Sequence, residues 1–185
     1  MKRNIILILA LAALSIPMGT EAQMAQATIE RALAAAPARA RADASVVRWH
    51  ADHSYEFLKE GSNNIVCYDR SGEPGQQPFA VQCTNLGNLD RVAQNRRFQA
   101  ESADREALNA RLEAAEANGT RVVPEYGSVW LTMSGADMAG ARLHRTIAVP
   151  GATTESTGLP DNPSEGGAWI MAAGTSTAHI MIPGT

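Results

Sequence analysis

Two histidines and a methionine near the end of the chain have the side chains best suited to metal chemistry. His144 lies in a predicted strand over 142–149, and His179 and Met181 lie in another over 178–182. Because side chains alternate between the two faces of a strand, neighbouring strands in the right register place all three on one face. Imidazole and thioether together suit copper, and imidazole also suits zinc. A copper or zinc site competes here with a simpler interpretation, in which the histidines are structural and the methionine fills a small core.

A second histidine pair, His50 and His53, has Asp52 between its members. On a helix the two imidazoles would share a face. The segment 49–57 instead favours a strand with a turn, where residues three apart point to opposite faces. We therefore interpret the pair as an exposed polar turn rather than a metal site.

Nucleophilic catalysis has candidate serines but no recognised sequence frame. No serine lies in a Gly-x-Ser-x-Gly elbow, and the chain has no dinucleotide fingerprint, P-loop or zinc-protease motif. A Ser-His-Asp arrangement can be assembled in several chain orders, so a hydrolase is kept as a weaker hypothesis. We predict no catalytic or cofactor-binding residue. The serines concerned are Ser128, Ser134 and Ser176.

The first residues have the layout of a secretory signal peptide. Lys2 and Arg3 precede an apolar run over 5–16, and cleavage is expected after Ala22. A membrane span needs roughly 20 apolar residues, which favours a cleaved leader over a retained helix. We therefore expect residues 1–22 to be removed, the protein to be periplasmic or secreted, and no integral membrane segment to remain.

Charge and composition exclude several classes of protein. The chain has 185 residues, of which 45% are hydrophobic and 19% charged, and its net charge is −3. This composition is neither collagenous nor that of a charge-rich disordered chain. The acidic balance argues against binding to a phosphate backbone, so no nucleic-acid partner is expected. Arg91, Arg96 and Arg97 form a small basic cluster, which we interpret as a solvated face.

Cys67 and Cys83 are the only cysteines. In an oxidising compartment an isolated pair usually forms a disulfide. The segment between them has the residues of a turn-rich path, and no Cys-x-x-Cys spacing supports the alternatives of a redox pair or metal thiolates. The turn-forming residues are Gly72, Pro74, Gly75 and Pro78.

The pattern of strands and helices predicts an α+β fold with an antiparallel β-sheet, one helical segment packed on a face, and one disulfide. Residues 23–44 are rich in alanine and arginine and predict a flexible spacer or a short helix. Residues 45–185 form a single domain, in which strands from 45–83 and 127–183 make the sheet and 89–117 is helical, with a break near Ser102. The core is expected at Trp130, Trp169, Ile147, Ile170, Ile180 and Ile182.

Two sequence signatures resemble those of a family of small secreted bacterial proteins of unknown function. One is Gly-Gly-x-Trp-x-Met at 166–171, followed by Ala-His-Ile-Met-Ile-Pro at 178–183, and the other is 58–63 leading to Cys67. The resemblance covers roughly 58–83 and 127–183. It implies export and a shared domain, and it brings no activity, cofactor or catalytic residue with it.

Export, an aromatic core and the lack of a catalytic frame favour an envelope or extracellular domain that is not an enzyme. Such a domain would bind an envelope or extracellular partner or a small ligand, in an apolar patch or groove expected near the long loop 152–168. The copper or zinc protein is the alternative hypothesis, and the hydrolase is the weaker one.

Overall fold

Eight strands form one sheet in the computed structural model, which describes residues 19–182. The order across the sheet is β2-β1-β3-β4-β5-β6-β8-β7. Neighbours run antiparallel except β1 and β3, which are parallel. The strands are β1 (Ser45–Trp49), β2 (Tyr55–Lys59), β3 (Ile65–Asp69), β4 (Phe79–Asn85), β5 (Val129–Gly135), β6 (Arg142–Ala148), β7 (Trp169–Met171) and β8 (His179–Met181).

The parallel pair corrects the prediction of a purely antiparallel sheet, and the α+β class itself is confirmed. After β2 the chain crosses the end of β1, because the backbone amides of Ser62 and Asn63 both donate to the carbonyl of Asp43. A Cβ on Gly61 would lie 2.2 Å from the same carbonyl oxygen, so only glycine allows this approach. Because of this crossing, β3 starts at the same end of the sheet as β1, and the two strands run parallel.

Helices lie on both faces of the sheet rather than on one. The helices are α1 (Gly19–Ala32), α2 (Leu89–Ala100), α3 (Arg105–Ala117) and α4 (Thr154–Thr157), with 3-10 turns at Leu33–Ala35, Arg41–Asp43, Leu86–Asn88 and Pro163–Glu165. The predicted break near Ser102 is confirmed, because α2 and α3 are separate. Asp104 starts α3 by accepting a hydrogen bond from the amide of Ala107 at 2.8 Å.

The alanine-rich segment 23–44 contributes to the core on one face of the sheet. It is helical as far as Ala32, and Ala32, Ala35 and Ala36 are buried against Val46 and Phe79. Because the alanine side chains are small, the end of the helix lies close to the sheet, and the two pack together without a cavity between them. The part of the predicted signal peptide before residue 19 lies outside the described residues.

The opposite face packs against α2. Val47, Val66 and Tyr68 on the sheet are buried together with Leu89 and Val92 of the helix. The largest buried side chains therefore lie near β1, β3 and β4. Of the six side chains expected in the core, Ile170 is buried and the other five are half-buried.

The predicted disulfide between Cys67 and Cys83 is confirmed. The two residues are paired directly across β3 and β4, and both are fully buried on the α1 face. Within residues 19–182, no helix has both the length and the apolarity needed to cross a membrane.

Replacement of both cysteines, in Cys67→Ala/Cys83→Ala, should lower the free energy of unfolding by about 3 kcal/mol, because the link closes a loop over a sequence separation of 16. Urea unfolding of the two proteins gives this difference. The oxidised wild-type protein, denatured without reductant, should show no thiol that can be labelled. Equal urea midpoints, or two labelled thiols, would contradict the structural role of the disulfide.

Candidate functional site

A cleft of about 530 Å³ lies between the sheet and the helices α2 and α3. Its floor consists of Tyr68, Gln82 and Trp130, which come from three adjacent strands and share one face of the sheet. The Tyr68 hydroxyl donates to Gln82 Oε1 at 2.5 Å, and Gln82 Nε2 donates to Thr132 Oγ1 at 2.7 Å. These hydrogen bonds fix the polar part of the floor, while burial raises the pKa of Tyr68 and keeps its hydroxyl neutral.

The roof of the cleft is apolar. Leu108 and Leu112 of α3 line the cleft and are half-buried, and Ala115 is the buried residue of this helix. Val92 of α2 and Trp130 of β5 complete an apolar surface inside the cleft. The helix α3 therefore directs its thin apolar stripe into a space that a ligand can fill, rather than into a packed core.

The charged lining of the cleft has an excess of positive charge. Four arginines and one glutamate line it, although the whole chain has a net charge of −3. The arginines come from the β3–β4 connection, from α2 and from the segment after α3, so the fold gathers them from distant parts of the sequence. The five residues are Arg70, Arg91, Arg96, Arg121 and Glu73.

The charges divide between two ends of the cleft, which we call the Arg91 end and the Glu73 end. The Arg91 end consists of Arg91, Arg121 and Thr177, and the Glu73 end consists of Arg70, Glu73 and Arg96. Arg91 is near the start of α2, which follows β4, and Thr177 lies just before β8. The Arg91 end of the cleft therefore lies at the end of the sheet where β4 finishes and where β5 and β8 begin. Arg70 and Glu73 lie in the connection between β3 and β4, which is at the opposite end of these strands.

Arg91 is almost completely buried, with an exposed fraction of 4%. Its Nη2 donates to Thr177 Oγ1 at 2.8 Å, and its Nη1 donates to the carbonyl of Val122. A third acceptor, Ser176 Oγ, lies 3.5 Å from Nη1, and all three acceptors are neutral. Burial lowers the pKa of Arg91 to about 10, with a further lowering from the nearby Arg121 and a rise from Glu116. The guanidinium stays charged at neutral pH in a place that disfavours its charge.

Arg121 is the second buried cation of the Arg91 end, with an exposed fraction of 8%. It donates to the side-chain oxygens of Gln94 and Asn95, which are also neutral. Burial lowers the pKa of Arg121 as well, and Glu116 acts in the opposite direction. Within residues 19–182, neither Arg91 nor Arg121 forms an ion pair with a carboxylate.

At the Glu73 end the charges are paired. Glu73 Oε2 lies 3.0 Å from Arg70 Nε, and Glu73 Oε1 accepts a hydrogen bond from Arg96 Nη1. The Arg96 guanidinium also lies over the Trp49 ring, 5.3 Å from its centroid, which adds a cation–π contact. One carboxylate thus serves two guanidinium groups, which leaves this end of the cleft with a net charge of +1.

This arrangement is complementary to an anion at the Arg91 end. A buried charge without a partner of opposite charge is costly, and hydrogen bonds to neutral groups compensate only part of that cost. The planar guanidinium presents several donors in a fork that matches carboxylate, sulfonate and phosphate oxygens. Among the described residues, Glu116 is the one carboxylate whose charge acts on both Arg91 and Arg121, and an anion placed between the two arginines would add a second negative charge and a direct partner.

His50 and His53 line the mouth of the cleft. They lie in a tight turn between β1 and β2, as predicted, with the backbone amide of His50 donating to the carbonyl of Ser54 at 2.8 Å. Hydrogen bonds from the Ser54 hydroxyl and amide hold the pKa of Asp52 below its usual value. The turn is therefore fixed by its own polar groups.

The register places the proposed metal ligands on one face of the sheet but does not bring them to one point. His179 is paired with Ala148 of β6, and His144 lies four residues away on that strand. At about 3.3 Å per residue this separates the two backbone positions by roughly 13 Å along the strands, whereas the side chains that bind a shared ion lie within about 5 Å of each other. Met181 lies between them, paired with Thr146. The copper or zinc site stays a prediction, without a geometry in which one ion contacts both histidines.

The serines considered for catalysis have partners other than histidine in the described part of the chain. Ser176 Oγ donates to Glu116 Oε2 at 2.5 Å, and Ser128 Oγ donates to the carbonyl of Glu125 at 2.6 Å. Ser134 is paired with Arg142 in the sheet. The hydrolase hypothesis stays a prediction.

The cleft itself was not predicted. Arg91 and Arg96 were interpreted as part of a solvated face, yet Arg91 is buried and Arg96 is half-buried, and of this cluster Arg97 is exposed. The expected groove near the loop 152–168 is not where the cleft lies. The one sequence signal for the burial of Arg91 is its position next to the apolar Val92 at the start of α2. Its partner Thr177 is 86 residues away in the sequence.

No protein-family model, curated protein or solved structure matches the chain. The resemblance to a family of small secreted bacterial proteins stays a prediction.

Glu116, which closes the Arg91 end through Ser176, predicts a pH dependence of stability. The Ser176 hydroxyl and amide both donate to its carboxylate at 2.5 Å and hold the pKa of Glu116 below its usual 4.5. A lowered pKa in the folded state stabilises the protein above pH 4.5, and this stabilisation is lost as the pH falls through the folded-state pKa. Glu116→Gln should therefore lower the free energy of unfolding at pH 7, and this loss should become smaller as the pH falls below 4.5.

The expected loss at pH 7 is smaller than the roughly 1.5–3 kcal/mol of a buried hydrogen bond to a charged group, because Glu116 is partly exposed to water. Urea unfolding at several pH values measures it, with Glu113→Gln, an exposed position of the same helix, as the control. A loss that is constant from pH 7 to pH 3 would refute the proposed role of the carboxylate.

Proposed function

We propose that the protein is an exported binding domain, not an enzyme, and that its cleft holds a small organic anion. The charged group of the ligand lies between Arg91 and Arg121, and its apolar part lies on Trp130 and beneath the leucines of α3. The observation that carries this proposal is a pair of buried arginines with neutral partners, at one end of a cleft of about 530 Å³.

The size and lining of the cleft support a small ligand. Binding sites for small molecules are typically 300–1,000 Å³, mostly apolar, with a few polar groups that orient the ligand. The cleft has this composition, with the apolar side chains of Val92, Leu108 and Leu112 next to the arginines. Its position between a sheet and two helices suits a ligand that enters from the side, and it offers no long basic groove for a polymer.

Export is supported by the disulfide and by the predicted leader. A disulfide persists in oxidising compartments and is rare in the cytosol. The leader over residues 1–22 has the three-part layout of a secretory signal. The proposed ligand is accordingly a molecule that a periplasmic or secreted protein meets.

The proposal predicts that 8-anilinonaphthalene-1-sulfonate binds the folded protein at one site with a rise in fluorescence. Arg121→Gln should weaken this binding by about tenfold or more, because a hydrogen bond to a charged group contributes roughly 1.5–3 kcal/mol and each 1.4 kcal/mol is a factor of ten. N-phenyl-1-naphthylamine has the same ring systems without the sulfonate and should bind more weakly than the sulfonate.

Two controls separate charge recognition from loss of the fold. Arg97→Gln removes an exposed arginine of α2 and should leave the affinity unchanged. Arg121→Lys keeps the charge and should retain part of the affinity, with melting curves to compare the stability of each variant. Equal affinities for Arg121→Gln and Arg97→Gln, or equal binding of the charged and uncharged probes, would overturn the proposal.

A further inference from the structure

We propose that the Glu73 end is a second anion-binding position, so that the ligand of the cleft is a dianion with an apolar spacer, such as an α,ω-dicarboxylate. This inference rests on the proposed function, and it adds the ligand class and the residues that recognise the second charge. Its basis is the distribution of charge in the cleft, which is positive at both ends and apolar in much of the remaining lining.

The Glu73 end has a net positive charge. Arg70 and Arg96 each carry one positive charge, and Glu73 neutralises one of the two. Of the described residues that line the cleft, Glu73 is the only carboxylate. Within residues 19–182, neither guanidinium has a second carboxylate at salt-bridge distance. An anion that reaches this end therefore meets one positive charge that the chain does not compensate.

Both guanidinium groups of the Glu73 end also have hydrogen-bond donors that the chain does not use. Among the described residues, the Arg70 guanidinium donates through Nε alone and the Arg96 guanidinium donates through Nη1 alone, in both cases to Glu73. Arg96 Nε is buried without a hydrogen-bond partner in the same part of the chain. A guanidinium presents several N–H donors in a planar fork, so the pair can bind a further carboxylate while Glu73 stays in place.

The charges at this end are sheltered enough from water to act on a ligand. The exposed fractions of the side chains are 25% for Arg70, 18% for Glu73 and 21% for Arg96. Burial lowers the pKa of Arg96, Tyr68 raises it, and the nearby Arg70 lowers it again. A second negative charge would stabilise a guanidinium whose surroundings disfavour its charge. The remaining contact with water reduces the cost of desolvating the carboxylate that binds there.

The apolar lining of the cleft suits the spacer between two charged groups. Trp130 contributes an apolar surface on the floor, and Leu108 and Leu112 contribute one in the roof. Methylene groups that cover these side chains are removed from water, which favours binding. A ligand that carried its charges along its whole length would lose this contribution, so the lining favours a molecule with charge at its ends.

The separation of the two ends sets a minimum length for the ligand. Arg91 and Arg96 are five residues apart on α2, which is about 7.5 Å along the helix axis. An extended eight-carbon dicarboxylate is longer than this distance, and a four-carbon dicarboxylate is shorter. We therefore expect the cleft to distinguish dianions by the distance between their charges as well as by their total charge.

Octanedioate, octanoate and butanedioate are matched probes for this inference. Octanoate has the same chain length as octanedioate but lacks the second carboxylate, and butanedioate has both carboxylates but a shorter spacer. In competition with 8-anilinonaphthalene-1-sulfonate at neutral pH, the wild-type protein should bind octanedioate about tenfold more tightly than either of the others. A second hydrogen-bonded contact between opposite charges supplies a factor of this size.

Arg70→Gln should remove the preference for octanedioate over octanoate, because it leaves the Glu73 end without a net charge. The affinity for octanedioate should fall about tenfold, and the affinity for octanoate should change little. Arg97→Gln is the control, because it removes the same charge from an exposed position on α2 and should leave the ratio of the two affinities unchanged. The comparison in the wild-type protein needs no variant, so it stands even where Arg70→Gln fails to fold.

The outcomes distinguish this inference from the proposed function. Octanedioate that binds no more tightly than octanoate or than butanedioate, or a ratio that Arg70→Gln alters no more than Arg97→Gln does, would overturn the inference while anion binding at the Arg91 end still stands. Fluorescence of the sulfonate probe that does not depend on Arg121, together with no competition by any of the three acids, would overturn both.

Discussion

The buried guanidinium of Arg91 is the constraint on which the cleft depends. A charge held this far from water needs acceptors, and the chain supplies them from two connections that are remote in sequence. The carbonyl of Val122 comes from the segment between α3 and β5, and the hydroxyl of Thr177 comes from the segment between β7 and β8. Closing both segments onto α2 satisfies the donors and builds the end of the cleft. The acceptors are neutral, so the charge remains to act on whatever enters.

The two faces of the sheet are linked through the β3–β4 hairpin. On one face the hairpin contributes Cys67 and Cys83, which lie in the core that α1 covers. The connection between its strands turns to the other face and supplies the charged pair Arg70 and Glu73. A disulfide in the hydrophobic layer thus restrains the loop that carries a carboxylate in the polar layer. Small side chains at the end of α1 allow that layer to close around Ile29 and Leu33.

Sequence patterns predicted the parts of this fold that local interactions determine. Strand alternation, the turn at His50 and His53, the helix break near Ser102 and the disulfide all follow from residues close together in the chain or from a single pair of cysteines. The parallel pairing of β1 and β3 depends instead on how closely Gly61 approaches the Asp43 carbonyl, which no periodicity reveals. The cleft depends on contacts such as Arg91 with Thr177, 86 residues apart. An arginine on a short helix has the same local pattern whether its partner is water or a distant hydroxyl, and so its burial could not be predicted.

The net charge of the chain argues against binding of a large polyanion, but it does not argue against binding of a small anion. The field of a chain with a net charge of −3 acts at long range, where it disfavours a polyanion such as nucleic acid. Four arginines lining a cleft act at short range, where water is reduced and electrostatic interactions are stronger. The two statements are compatible because they apply at different distances.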